Sequence, residues 1–203
     1  MLAMESRNAD ADQTAFARQG YGNGPVLAFE RQASAPDGAE TTIGFRLAFA
    51  VDHRAPDATV FACRHGNSGA LRDAAGPAHE NGALGISGVY MAEANPADFQ
   101  YYLEATTGQR SIRATSLGIE AETQNGLVAI LTPEGIDALF GLEFAAMPRG
   151  LRLRAFALAV RDLDALAKRF DNGSIAYRNL AGRLIVDASP GQGAPIAFEE
   201  AKP

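Results

Sequence analysis

Two histidines are the residues of this chain with the clearest potential for chemistry. His65 ends the apolar segment 60–65 (VFACRH), and His79 begins the segment 79–83 (HENGA) after a glycine-rich stretch. An imidazole ring titrates near neutral pH and serves as a general base or as a metal ligand. If the glycine-rich stretch folds back, both rings face one pocket, so we take His65 and His79 as candidate catalytic residues. The alternative is that both rings hydrogen-bond the backbone and have only a structural role.

A second group of residues has the chemistry to bind a ligand, either beside the two histidines or on a later strand. A guanidinium pairs with carboxylates through two parallel hydrogen bonds, and a thiol near a positive charge becomes a nucleophile. A strand cysteine between apolar neighbours more commonly fills a core, and alternating arginines more commonly form a solvated face. The candidate ligand-binding residues are Cys63, Arg64, Asn81, Arg149 and Arg154.

Two further carboxylates share one face of a strand, because Glu120 and Glu122 are two residues apart. Such a pair can carry out acid–base chemistry. Neither has a partner at metal-ligand spacing, so we interpret this face of the strand as solvated.

The candidate residues belong to a sequence pattern that occurs three times, and the secondary structure of that pattern must position them. Each copy is an apolar run, then Asn or Asp, then a short helical pattern that ends at a glycine, then three strand-like runs. The polar residues are Asn8, Asn95 and Asp162, which can accept the free N–H groups of a first helical turn. The repeat therefore predicts three βαβββ modules. One module cannot bury its own sheet face, so modules should pair, with the chemistry in the cleft between them.

The module boundaries follow from glycine and proline. We expect one module over 1–67, a linker over 68–82, and two modules over 83–203. A second, shorter hinge is expected from Phe140 to Gly150. The predicted fold class is α+β, with mixed and mainly antiparallel sheets curled into a cup and helices outside.

Composition excludes several classes of protein. The formal charge of −6 and the absence of a Lys/Arg run argue against a nucleic-acid partner. A single cysteine rules out an internal disulfide framework and suggests a reducing compartment. The N-terminus shows no signal peptide, and no apolar stretch approaches the ~20 residues of a membrane helix. We therefore expect a soluble, cytoplasmic protein without a membrane partner.

Three segments resemble the vicinal oxygen chelate superfamily (glyoxalase, bleomycin resistance protein and extradiol dioxygenase) and, within it, the glyoxalase-like domain proteins. They are 159–164 (AVRDLD), 60–65 (VFACRH) and 79–83 (HENGA), where Glu80 replaces the proline of the relatives. The resemblance implies four modules paired into two cups, of which this chain resembles the last three. Modules two and three would form one complete cup. Module one would lack its partner, so we expect a homodimer through residues 1–67.

The resemblance also implies where a divalent metal would bind. In such proteins His, Glu or Gln side chains near the start of the first strand and the end of the last strand of each module meet in the cleft. Only Glu199 suits that role in the predicted cup, and His65 is the corresponding candidate of module one. The other positions carry Ile86 or Ser87, Leu131 or Thr132, and Leu153 or Arg154. The site is thus degenerate; a divalent metal at Glu199 or His65 is one hypothesis, and the absence of a cofactor is the favoured one.

Three functional hypotheses remain. The first is a glyoxalase-like protein that binds a small organic molecule in the cup and, as an enzyme, transforms it in the manner of a lyase, an isomerase or a dioxygenase. The second is a non-catalytic small-molecule-binding dimer of the bleomycin resistance type. The third is a fragment of a four-module protein.

Overall fold

A computed structural model describes residues 1–34, 40–66, 79–142, 149–191 and 193–201. The chain divides into two compact units, Met1–Pro77 (unit 1) and Ala78–Pro203 (unit 2). The strands are β1 Leu2–Glu5, β2 Leu27–Ser34, β3 Glu40–Ala50, β4 Val60–His65, β5 Ala83–Ala92, β6 Arg113–Thr115, β7 Gly118–Thr123, β8 Gly126–Leu131, β9 Arg152–Val160, β10 Arg178–Leu180, β11 Arg183–Val186 and β12 Ile196–Glu200. The helices are α1 Ala9–Arg18, a 3₁₀ helix Pro96–Phe99, α2 Gln100–Thr107, α3 Pro133–Phe140 and α4 Leu163–Asn172.

Unit 1 is one βαβββ module. Its sheet has the order β1-β4-β3-β2, with β1 parallel to β4 and the other neighbours antiparallel. Helix α1 begins where the side chain of Asn8 accepts a hydrogen bond from the backbone N–H of Ala11 at 3.2 Å. Phe16 of this helix and Ala48 and Ala62 of the sheet are buried, so one sheet face is covered within the module.

Unit 2 contains two βαβββ modules that share one sheet. The order β10-β11-β12-β9-β5-β8-β7-β6 places the first strand of each module, β9 and β5, side by side and antiparallel at the centre. Each first strand pairs in parallel with the last strand of its own module. The two modules therefore meet edge to edge through their first strands.

Strand alternation divides the side chains of this sheet between two cores. On the outer face, α4 packs against the strands around Val160, Leu166, Phe170, Leu184, Val186 and Phe198. Helix α4 begins at Asp162, whose side chain accepts from the N–H of Ala165 at 2.8 Å. On the inner face, α3 packs against Tyr90, Ala92, Ala129, Leu131, Ala155, Ala157, Ile185 and Ala197. The inner face is the cup.

Helix α3 was not predicted from the sequence. Thr132 accepts from the N–H of Gly135 at 3.0 Å, Pro133 occupies the first turn, and Gly141 ends the helix with φ 61°. Its eight residues are too few to show a clear helical period, but Ile136 and Phe140 are fully buried in the cup. The helix fills one end of the cup and leaves the other end open to a cavity.

The predicted α+β class of curled mixed sheets is confirmed. Most of the predicted linker 68–82 and residues 143–148 of the predicted hinge lie outside the described residues. No helix in the described part of the chain is long and apolar enough to cross a membrane.

Candidate functional site

The cup of unit 2 holds a cavity of about 650 Å³. Small-molecule sites in proteins usually fall in this range of volume. The lining combines the apolar side chains of Leu84, Ile86 and Leu127 with polar ones. The polar side chains include Ser87, Tyr90, Arg113, Glu122, Glu199 and Glu200.

Short side chains on the two central strands make room for this cavity. Gly88 of β5 pairs with Ala157 of β9, and Gly85 pairs with Ala159. These residues have a methyl group or no side chain at all. Few side-chain atoms therefore occupy the space above the centre of the sheet. A ligand can therefore approach the sheet backbone closely.

Tyr90 rises from this floor. Its side chain is buried, and its ring meets that of Phe140 edge to face, with the centroids 4.9 Å apart. A Cβ atom at Gly88 would lie 2.8 Å from the hydroxyl oxygen of Tyr90. The ring therefore leans back over Gly88, toward the start of β5, and Tyr90 is one of the residues that line the cavity.

Burial raises the pKa of the Tyr90 hydroxyl, and the negative charge of Glu199 raises it further. Arg183 opposes this shift through its charge and a hydrogen bond, while Glu120 adds a smaller increase. The Arg183 guanidinium also donates to the backbone carbonyl of Leu139 and lies 5.4 Å from the ring centre of Phe140. Tyr90 is therefore a neutral phenol at physiological pH.

The carboxylates of the cup lie in three different environments. Glu120 is 7% exposed and forms an ion pair with Arg113. Glu122 is exposed, whereas Glu199 is half-buried, and neither forms an ion pair or hydrogen bond with another described residue. The interpretation of Glu120 as part of a solvated face is therefore wrong: its strand partner Ala129 belongs to the inner core, which places Glu120 on the cup side of the sheet.

Unit 1 brings two of the predicted site residues together. The Cys63 sulfur lies 3.4 Å from Nε2 of His65, and the ring of Phe45 meets the imidazole edge to face at 5.3 Å. Cys63 is buried, and burial raises the pKa of its thiol, which disfavours the thiolate. Arg64 is exposed on the opposite face of β4.

The other predicted residues belong to unit 2 and lie at separate places. His79 is exposed, and its carbonyl accepts from the N–H of Gly82. The side chain of Asn81 accepts from the N–H of Ala83 at 3.0 Å, which orders the start of β5. Arg149 pairs with Asp98 at 3.1 Å, and Arg154 is half-buried on β9. The proposed meeting of His65 with His79 depends on the undescribed linker and stays a prediction.

Comparison with known proteins agrees with this architecture. The sequence profile of a family described as "Glyoxalase-like domain" matches residues 1–107, just over half of the chain. This chain belongs to the glyoxalase-like domain family. The resemblance inferred from the sequence is thereby confirmed. No curated protein sequence matches the chain significantly.

Solved structures with the same fold share little sequence with this glyoxalase-like protein. A hypothetical protein from Staphylococcus aureus superposes with a TM-score of 0.59 at 8% identity, over 98% of this chain and 65% of its own. A mutant of 4-hydroxymandelate synthase from Streptomyces coelicolor gives 0.55 at 10% identity, over 97% of this chain and 68% of its own. These likenesses concern the fold alone. The chain spans about two thirds of the length of each of these proteins.

The donor atoms of a metal centre are not assembled in the described residues of this glyoxalase-like protein. No group of three or more His, Cys, Asp or Glu side chains there could hold a metal ion. Ser87 and Glu199 line the cavity, but hard or borderline cations need more oxygen or nitrogen donors than this pair supplies. The residues of the cup therefore do not fit the metal site that the fold family implies.

Sequence reasoning missed Tyr90, Arg113 and Arg183 as residues of the cup. Tyr90 looks like core filling in an apolar strand, and the arginines belong to short strands near turns. For Arg113, the signal available in the sequence was its pairing with an acidic residue. Arg113 lies opposite Glu120 on neighbouring strands, where opposite charges attract. The position of Tyr90 depends on its approach to Gly88, which no pattern in the sequence indicates.

Proposed function

We propose that the cup of unit 2 binds a small, uncharged or cationic organic molecule. The observation that carries this proposal is the cavity of about 650 Å³, floored by glycine and alanine and edged by the hydroxyl of Tyr90 and the carboxylate of Glu199. The apolar floor accepts a flat hydrocarbon surface, and the two polar groups fix its orientation. Binding of a small molecule in the cup is common to the enzymatic and the non-catalytic hypotheses that the sequence raised.

The charge of the lining favours this class of ligand. Among the residues that the structure describes, Glu122, Glu199 and Glu200 line the cavity, and Arg113 is the only cation that lines it. That arginine is already paired with Glu120. The summed field of the cup is therefore negative, and it repels an anionic ligand while attracting a neutral or positive one.

A matched set of probes tests the proposal. 2-Naphthol and 2-naphthoate have the same ring system and differ in charge. We expect 2-naphthol to raise the midpoint of thermal unfolding in a concentration-dependent manner, because ligands that bind only the folded state stabilise it. We expect 2-naphthoate to have a much smaller effect. Equal stabilisation by both probes would contradict the charge argument.

A cavity-filling variant locates the site. Ala159→Phe puts a ring into the cavity without removing a polar group. It should abolish the effect of 2-naphthol. Ala165→Phe, which adds the same ring to an exposed position of α4, should leave it unchanged. If the Ala159→Phe protein still responds, the cup is not the binding site.

We also propose that unit 1 forms a homodimer with a second copy of the chain. Within unit 2 the modules join through their first strands, β5 and β9. The first strand of unit 1, β1, pairs on one side with β4, and its other edge pairs with no described strand. Antiparallel pairing of β1 with its copy around a two-fold axis would repeat the arrangement of unit 2.

The sheet face of unit 1 that α1 does not cover supports this partner. Phe29 and Phe45 stack on each other with centroids 5.1 Å apart, and Leu27, which pairs with Leu47, is 50% exposed. Burying such apolar surface drives association. A second copy would place an identical apolar face opposite.

Sedimentation velocity over a range of concentrations tests the dimer. The wild-type protein should dissociate only on dilution, and Leu27→Glu should be monomeric because it puts a charge into the interface. Ile175→Glu, at a comparably exposed apolar position of unit 2, should behave like wild type. A wild-type protein that is monomeric at every concentration would rule out this homodimer.

A further inference from the structure

Two arginines of unit 1 lie side by side on neighbouring strands. Arg46 of β3 is the cross-strand partner of Arg64 of β4, so both side chains leave the same face of the sheet. This is the face that bears α1, because Arg46 forms an ion pair with Asp10 of that helix at 2.6 Å. Like charges placed directly opposite each other destabilise a strand pair. Negative charge near the two guanidinium groups therefore stabilises this arrangement.

Asp10 supplies only part of that negative charge. Both of its carboxylate oxygens accept from Nη2 of Arg46, at 2.6 and 2.8 Å, and no described residue accepts from the Nε or Nη1 group of this arginine. Arg64 is exposed, and its side chain has no ion-pair or hydrogen-bond partner within the described residues. A guanidinium has five N–H donors in one plane, an arrangement that matches a carboxylate. The two arginines thus retain donors for a further carboxylate.

An open groove of about 390 Å³ lies beside the two arginines. Six of its lining residues occupy alternate positions of three neighbouring strands and so share one face of the sheet. They are Ala28 and Glu30 of β2, Gly44 and Arg46 of β3, and Arg64 and Gly66 at the end of β4. A Cβ atom at Gly44 would meet no atom within 4 Å, so the space above this glycine is open. A small ligand can therefore lie against the sheet beside the arginines.

The other end of the groove carries a negative charge. Glu30 pairs across the strands with Gly44, which lies two residues before Arg46 on β3. Glu30 is exposed, and no described cation forms an ion pair with it. Residues in the diagonal relation of Glu30 and Arg46 are about 7–8 Å apart. The groove is thus positive at one end and negative at the other.

We propose that this groove is a second binding site, which takes a small zwitterion of the size of a dipeptide. Arg64 and Arg46 bind its carboxylate, and Glu30 binds its ammonium group. An extended chain spans about 3.3–3.6 Å per residue, so a dipeptide is about 7 Å long and matches the separation of the two ends. The site does not depend on the cup of unit 2. The homodimer proposed above uses the other face of the sheet and leaves the groove accessible.

Three forms of one dipeptide test the charge requirement. Alanylalanine is a zwitterion at neutral pH, its N-acetyl derivative keeps only the carboxylate, and its amide keeps only the ammonium group. In ¹H–¹⁵N NMR spectra of the full chain, alanylalanine should shift the backbone signals of Gly44 and Gly66 in a saturable manner. Each blocked form should bind about fivefold more weakly, because it loses one ion pair. Equal affinity for the three forms would overturn the proposal.

Variants assign the two charges to their ends of the groove. Arg64→Gln should weaken the binding of alanylalanine about fivefold, whereas Arg18→Gln, at an exposed position of α1, should bind like wild type. Glu30→Gln should bind alanylalanine and its N-acetyl derivative equally well, because the partner of the ammonium group is gone. An unchanged affinity in Arg64→Gln would contradict the assignment.

A groove-filling variant locates the site. Gly44→Leu puts a side chain into the open space without changing any charge, and it should abolish the response to alanylalanine. Ala165→Leu, at an exposed position of α4, should respond like wild type. A response that survives in Gly44→Leu, or the absence of a saturable shift in the wild-type protein, would overturn the proposal.

Discussion

The hydroxyl of Tyr90 lies over Gly88, two residues earlier on the same strand, in the space where any other residue would place its Cβ. The distance from that Cβ position to the hydroxyl oxygen would be 2.8 Å, well inside van der Waals contact. The position of the hydroxyl therefore depends on the absence of a side chain at Gly88.

Gly88→Ala should displace the Tyr90 ring. The added methyl group meets the ring edge and its hydroxyl, so we expect a loss of about 1–3 kcal/mol in the free energy of unfolding and a shift of the Tyr90 ring signals in ¹³C NMR spectra. Gly85→Ala is the matched control on the same strand, because a Cβ there meets nothing within 4 Å. Identical Tyr90 signals in both variants would show that Gly88 does not set the ring position.

Arg183→Gln should raise the pKa of Tyr90 further. Arg183 lowers that pKa through its charge and a hydrogen bond, so its removal leaves burial and Glu199 unopposed. A ¹³C NMR titration of labelled tyrosine measures the change, with Arg110→Gln as an exposed control. An unchanged or lower pKa of Tyr90 would mean that the guanidinium does not act on the hydroxyl.

The stability of the protein should depend on Tyr90 at alkaline pH. The pKa of Tyr90 is raised above its ordinary value of 10.0. Above about pH 10 the unfolded chain releases this proton while the folded chain retains it, so the stability present at lower pH is lost as pH rises through the folded-state pKa. The free energy of unfolding of wild type should fall more steeply there than that of Tyr90→Phe, by up to about 1.4 kcal/mol per pH unit. Urea titrations at a series of pH values measure the two slopes, and parallel slopes would contradict the raised pKa.

Arg113→Gln should destabilise unit 2 more than its exposed position suggests. Glu120, its partner, has a side chain that is only 9% exposed, so the variant leaves a buried carboxylate without its cation. We expect a loss of about 1–3 kcal/mol, measured by urea unfolding. Arg149→Gln breaks a more exposed pair with Asp98 and should cost at most about 1 kcal/mol. Equal losses in the two variants would show that burial of Glu120 does not matter.

The fold was predictable because its signals are local and repeated. Asn8 and Asp162 cap helices through their own side chains, and most of the strand-like runs that follow the helices are long enough to recognise. Helix α3 escaped prediction because eight residues give little more than two turns, although Thr132 and Pro133 form a typical helix start. The structure adds what repetition alone cannot give, namely which strands become neighbours.

The candidate site was less predictable because it depends on register. β5 and β9 pair with three irregularities, so counting by twos along β5 does not identify which residues face the cup. Glu120 appeared solvated because alternation does not indicate which face of β7 is buried. Glu199 was identified from its place at the end of the last strand, but as a metal ligand, and Tyr90 was recognised as a second residue of the cavity lining only from the structure.

The most direct test of the cup as a ligand site is a titration of protein carrying ¹³C-labelled tyrosine with 2-naphthol, followed by NMR. The signal assigned to Tyr90, identified by its loss in Tyr90→Phe, should shift in a saturable manner, and the signal of the exposed Tyr101 should stay in place. Ala159→Phe should remove the response. Saturable binding that leaves the Tyr90 signal unmoved would place the ligand elsewhere and contradict the account.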